Sequence, residues 1–181
     1  MKLLKLFGLI LIISCNGQRQ NENVDFSDLR DNLPTIITPI VFNSNGDIQQ
    51  KPFDLPNNQI LKDLKDKNYF TVLGKIFESN NFVTIVGYIP DDFGSPILIT
   101  IDKNGNQLDS FVLYQSVGFD MGYYRSNFVT IYPNKTISLI DSFLTREINE
   151  DGSNEIPDSD LLTVTKSEFR LNDNGKIKKF E

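Results

Sequence analysis

Hydrophobic and polar residues along this chain change their period near Tyr69. Before it the order is irregular except over Asn57–Asp66. There Ile60, Leu61 and Leu64 fall at helical spacing, and Lys62, Asp63, Lys65 and Asp66 take the other side. The spacing predicts one short helix around 57–66, with Asn57 or Asn58 able to cap its start. After Tyr69 come short runs dense in Ile, Val, Phe, Tyr and Thr: YFTVLGKIF, NFVTIVGYI, PILITI, LDSFVLY, NFVTIY, TISLIDSFL, LLTVTKSEFRL and IKKF. Turn-forming residues separate them at intervals of roughly ten positions. That cadence predicts an all-β domain over residues 25–181, mainly an antiparallel meander, as sandwich or barrel.

The runs also say which faces are covered. In PILITI, Ile97, Ile99 and Ile101 share one face, and in SEFRL, Phe169 and Leu171 alternate with Glu168 and Arg170. Such alternation belongs to a sheet wet on one side. NFVTIVGYI is apolar at both parities, which predicts a central strand covered on both faces. Upstream, TIITPIVF reads as a strand with Pro39 at an edge or bulge. DFSDLRDNLP has room for one helical turn or two before Pro34.

Three stretches repeat one pattern: FNSNGDI, IDKNGNQL and LNDNGKI. Asn-Gly between apolar runs is the signal of a two-residue hairpin turn, because Asn and Gly tolerate positive φ. Ser79-Asn80-Asn81 and Pro133-Asn134-Lys135 occupy similar places. A calcium loop would need glycine at its sixth position and glutamate at its twelfth. Counted from Asp102, those places hold Gln107 and Leu113. No metal site is expected at these turns. The unequal spacing of the three copies also speaks against a repeat architecture.

The first residues belong to another category. MKLLKLFGLILIISCNGQ has two lysines, an apolar run from Leu6 to Ile13, then Ser14-Cys15. The run has the layout of a secretory signal and is too short to span a bilayer. Branched apolar residues, a small residue and then cysteine resemble a bacterial lipoprotein signal. The resemblance implies that residues 1–14 are removed and that Cys15 becomes a lipidated N-terminus bearing acyl chains such as palmitate. Cys15 is the only cysteine in the chain, and lipidation accounts for an odd thiol in a secreted protein. The polar residues after it, up to Val24, read as a flexible tether, so residues 15–24 form the anchor segment. Asn16, rather than Asp, follows the cysteine, and no acidic cluster comes next. By resemblance this favours the cell envelope, at the periplasmic face of the outer membrane. The whole resembles the small lipidated all-β proteins of unknown function found in Bacteroidota.

Composition narrows the chemistry. The net charge is −6, and loss of residues 1–14 with Lys2 and Lys5 makes it −8. An acidic surface is poorly suited to nucleic acid and suits a cationic partner. There is no histidine and no tryptophan. The missing histidine removes the usual acyl-transfer triads and most zinc sites. No glycine-rich phosphate loop is present, and no cofactor is expected.

Carboxylates remain: Asp91, Asp92, Asp120, Asp141 and the run Glu147, Glu150, Asp151, Glu155, Asp158, Asp160. Residues 147–160 read as a long solvated loop. Asp141 lies in a strand pattern on the face of Ile137, Leu139 and Phe143, so it must be paired or must end the buried stretch. QSVGFDMGYYRSNF reads as a loop rich in partner-binding residue types. Asp120, Tyr123, Tyr124 and Arg125 are its candidate binding residues, with the acidic loop as rim. These features describe a membrane-anchored, non-enzymatic binding or envelope-interaction module, with a trap or inhibitor of a cationic protein as its sharper form. The alternatives are a carboxylate-based glycan hydrolase and a structural subunit of an outer-membrane assembly.

Overall fold

The computed structural model describes residues 24–46 and 50–180. The expected signal, Cys15 and nearly all of the expected tether lie outside the described residues. In chain order the elements are α1 (Val24–Asn32), β1 (Ile40–Asn43), α2 (Gln59–Asn68), β2 (Thr71–Glu78), β3 (Phe82–Tyr88), β4 (Pro96–Asp102), β5 (Gln107–Val112), β6 (Gly118–Asp120), β7 (Tyr123–Ile131), β8 (Thr136–Thr145), β9 (Leu161–Leu171) and β10 (Ile177–Lys179). The chain is mostly β, as its cadence predicts.

Two antiparallel sheets pack face to face, and the helices cover the far side of one of them. The four-stranded sheet has the order β2-β3-β4-β5. The other has the order β1-β7-β8-β9-β10, with β6 beside the first residues of β7. Val72, Val83, Ile85, Ile97, Ile99 and Ile101 bury one face of the smaller sheet under Phe26 and Leu29 of α1 and Ile60, Leu61 and Leu64 of α2. Leu73, Ile76, Val86 and Leu98 bury its other face against Ile40, Phe42, Val129, Ile131, Ile137 and Leu139 of the larger sheet. The smaller sheet is thus the middle layer of three. This explains why β3 is apolar at both parities, and all its residues but Tyr88 are buried.

The predicted helix forms over Gln59–Asn68. Asn58 is its cap: Oδ1 accepts from the Leu61 amide at 3.1 Å. The side-chain amide of Asn58 donates to Asp25 O at 2.6 Å and to Asp28 Oδ2 at 3.0 Å, which ties α2 to α1. A second helix, α1, therefore stands where only a turn or two was read. Its Phe26 and Leu29 are too few for an amphipathic signature, and packing on α2 makes up for that.

The Asn-Gly turns differ from expectation in detail. The β4–β5 and β9–β10 connections share one geometry. Gly105 N donates to Asp102 O at 2.9 Å, and Gly175 N donates to Asn172 O at 3.1 Å. The glycines take φ of 86° and 78°, whereas neither asparagine has positive φ. This is a three-residue loop, a tight turn followed by a left-handed glycine. The first residue of each turn fixes it with its side chain. Asp102 Oδ1 accepts from the amides of Asn104 and Asn106, and Asn172 Oδ1 from those of Asn174 and Lys176. The β7–β8 turn is a variant, with Lys135 at φ 66°. The described part of FNSNGDI, Phe42 to Gly46, ends β1 at Asn43 in a turn where Gly46 N donates to Asn43 O at 3.0 Å, and β1 pairs with β7 rather than with the next strand, β2.

TIITPIVF is divided between the two sheets. Ile36 N donates to Lys75 O at 2.7 Å and Lys75 N donates to Pro34 O at 2.9 Å, which covers the outer edge of β2. The strand proper begins only after Pro39 and pairs with β7.

Candidate functional site

QSVGFDMGYYRSNF is largely strand rather than loop. Gly118–Asp120 forms β6, Met121-Gly122 makes the turn, and β7 starts at Tyr123. β6 is only three residues long and holds a glycine, so its alternation is too brief to register as a strand pattern. Strand geometry then sends Tyr123 and Arg125 to one face and Tyr124 to the other.

The four candidate residues accordingly take different partners. Asp120 is exposed, and its Oδ1 accepts from the Met121 amide at 2.7 Å. Tyr123 packs near Phe143, with ring centroids 6.1 Å apart. Tyr124 donates its hydroxyl to Asn45 Oδ1 at 2.6 Å, across to the end of β1. Arg125 lies with its guanidinium 5.5 Å from the Phe143 ring centre and forks onto Asp141, with Nε 2.9 Å from Oδ1.

Asp141 thus has the partner that its position requires. It also accepts from Asn127 Nδ2 at 3.0 Å. Asn127 is fully buried and joins four segments. Its Oδ1 accepts from the Gln115 and Ser116 amides at 2.9 and 3.2 Å. Its own amide donates to Ser44 Oγ at 2.9 Å, and its carbonyl accepts from Ser44 N at 3.0 Å. Arg125, Asp141, Asn127 and Ser44 thereby fix β7, β8, the chain after β5 and the end of β1 relative to one another. Sequence reading singled out Asp141 and Arg125 separately. It missed Asn127, which has the composition of an ordinary strand position.

The Arg125 side-chain bond holds the Asp141 carboxyl below the usual carboxylate range, against some desolvation. A depressed folded-state pKa supplies stability above the unfolded-state value of about 4, and that stability is lost as pH falls through the folded-state value. Asp141→Asn should therefore flatten the acid limb of the stability profile, measured as the urea midpoint below about pH 4.

Beside β7, between the end of β1 and β6, the sheet edge has a gap, and a cleft of about 690 Å³ opens there. Tyr88, Phe93, Phe119 and Tyr124 wall it together with Arg125, and Asn45, Gln50 and Asp92 contribute polar groups. Asp91 sets the loop above it, since its Oδ1 accepts from the Phe93 and Ser95 amides at 3.1 and 2.9 Å. Phe119 is 73% exposed, far more than packing alone would leave a phenylalanine. A smaller hollow of about 190 Å³ at the same hairpin is lined by Asp120, Tyr123, Leu144, Arg146 and Glu155, and it shares Phe119 and Tyr124 with the cleft.

The acidic run is ordered rather than merely solvated. Arg146 binds Asp160 through Nε and Glu155 through Nη1, the latter at 2.8 Å. Glu155 also accepts from the Gly122 amide at 2.9 Å, so the loop is tied to the β6–β7 turn. Asp151 accepts from Ser153 N at 3.0 Å. Glu147, Glu150 and Asp158 are exposed.

What this arrangement offers is a recess with aromatic walls, one fixed cation and Asp92 on its lining. Behind Arg125, the Asp141 carboxylate is held ionised by arginine and asparagine. That suits a strut better than a proton donor, which needs a raised pKa. Compared with protein-family models, with curated proteins and with solved structures, the chain matches none.

Proposed function

We propose that this chain is a lipid-anchored, non-enzymatic binding module of the cell envelope, which takes a protein partner at the aromatic cleft beside the β6–β7 hairpin. The observation that carries the proposal is that cleft: Tyr88, Phe93, Phe119 and Tyr124 around Arg125, with Phe119 mostly exposed. Aromatic and arginine side chains provide most of the binding energy at protein interfaces. The partner is cationic, drawn by the net charge of −6 and met by the outward Glu147, Glu150 and Asp158. Cys15 holds the module to the membrane through its acyl chains, at the periplasmic face of the outer membrane.

Isothermal titration of the chain with a panel of basic proteins, lysozyme first, at physiological salt tests this. One of them should bind with an affinity that Phe119→Ala or Tyr124→Ala lowers by about tenfold or more, a loss of roughly 1.4 kcal/mol or above. If no basic protein binds, the cationic-partner reading fails.

A second reading, the structural subunit of a larger assembly, has its own support. The outer face of the larger sheet exposes Phe119, Tyr124, Ile140, Leu162 and Val164, an apolar patch of the kind that marks interaction surfaces.

A further inference from the structure

The larger sheet has one long strand edge that nothing covers among the described residues. On β2 the edge is closed by residues 34–36 and by Phe53, whose amide donates to Val72 O at 2.8 Å. β5 meets β10, where Asp109 Oδ2 accepts from Ile177 N at 2.8 Å. β1, β6 and β10 are short. β9 runs from Leu161 to Leu171, yet β10 pairs only with Phe169 to Leu171. Residues 161–167 lie beside β8 on one side and open on the other.

Which backbone groups face outward follows from alternation along the strand. Leu161 O accepts from Thr145 Oγ1 of β8, and Leu171 N donates to Lys135 O on that same side. Glu168 O accepts from Phe180 N on the other side. No register shift interrupts β9 against β8. The N–H and C=O groups of Leu162, Val164 and Lys166 therefore point to the open edge.

The usual protections are missing. The segment has no proline and no bulge, and its one lysine, Lys166, is bound to Glu168 at 2.7 Å. Leu161, Leu162 and Val164 are 66, 60 and 57% exposed.

We infer that this edge pairs with the same edge of a second copy, antiparallel about a two-fold axis at Val164. In that register Val164 faces Val164, Leu162 faces Lys166, Thr163 faces Thr165 and Leu161 faces Ser167. All three outward residues then exchange their backbone hydrogen bonds, and the contact is isologous. The side chains suit it: valine meets valine, threonine meets threonine, and Leu162 lies along the lysine stem. Charge selects a second copy over an unrelated strand. The acidic loop, ending in Asp158 and Asp160, precedes β9; the basic Arg170 lies at the far end of the strand, and Lys176, Lys178 and Lys179 follow it. Antiparallel pairing brings the acidic end of each copy against the basic end of the other, twice per dimer.

The contact is small beside the roughly 800 Å² per partner of a standard interface, so the dimer is weak, on the order of micromolar. Sedimentation equilibrium of the full chain carrying Cys15→Ser tests it. The expected result is a reversible monomer–dimer equilibrium that weakens with added salt. Val164→Pro removes an outward donor without removing a bond to β8. It should raise the dimer dissociation constant by about tenfold or more, with the circular dichroism spectrum unchanged. Lys178→Glu with Lys179→Glu, on the surface and away from the core, should weaken the dimer about tenfold, and adding Asp158→Lys should restore part of the loss. A chain that stays monomeric at the highest soluble concentration overturns the inference. So does a dimer that neither the proline nor the charge changes affect.

Discussion

Gly87→Ala is expected to lower stability by on the order of 4 kcal/mol, a large share of the roughly 5–15 kcal/mol that holds a typical domain folded. A β-carbon at position 87 would stand 2.3 Å from Thr71 O and 2.5 Å from the ring of Phe70. Both neighbours are fixed. Thr71 is the first residue of β2, paired with Tyr88, and Phe70 is buried in the core under the helices. Neither can yield without parting β2 from β3 or lifting α2. Urea unfolding measures the effect: the midpoint should fall by about 2 M at an unchanged slope of about 2 kcal/mol per M. A fall under about 0.5 M would mean that this packing is looser than described.

Asn127→Ala should come next, at about 3 kcal/mol. The substitution deletes the acceptor of the Gln115 and Ser116 amides and the donor to Asp141. Buried groups left without partners each cost about 1–3 kcal/mol, and Asn127 itself is fully buried. The loss should be local as well as global. Amide hydrogen exchange should quicken first at Gln115 and Ser116 and along β6, before the middle sheet is affected. Uniform quickening across the middle sheet would show that Asn127 supports the whole fold rather than this corner.

Both residues show where sequence reading reaches its limit. Strands with a long alternation or a fully apolar run were legible. β9 was delimited residue for residue, and β3 was read as central because both its parities are apolar. The α2 cap was narrowed to two asparagines, because capping is decided by local chemistry. Gly87 looked like one weak position in a strong strand, since its requirement comes from Phe70, seventeen positions earlier. Asn127 looked like the edge of an apolar run, because its partners lie on three other segments. Arg125 reads as a binding residue, and Asp141 as a carboxylate that must be paired or must end the buried stretch. Only the β7–β8 register, which sets Arg125 beside Phe143 and Asn127 beside Asp141, shows that they answer each other. The aromatic cleft was half visible. Tyr124 and Arg125 were singled out, while Tyr88 and Phe93 come from the opposite sheet and were placed there by topology alone.

The same register divides the candidate site. Of the two recesses, Tyr123 and Asp120 line only the small hollow beside Arg146, whereas Tyr124 and Phe119 line both it and the larger cleft. A partner seated in the larger cleft meets Tyr124 and Phe119 directly and Arg125 at its base. Asp120 and Tyr123 would then act at the margin, and their alanine variants should change affinity little.

The most direct test is the amide NMR spectrum of the chain titrated with whichever basic protein binds by calorimetry, lysozyme being tried first. Tyr88, Phe93, Phe119, Tyr124 and Arg125 should shift or broaden together, and α1 and α2 should not move. An unchanged spectrum, or shifts confined to surfaces away from the cleft, would contradict the account.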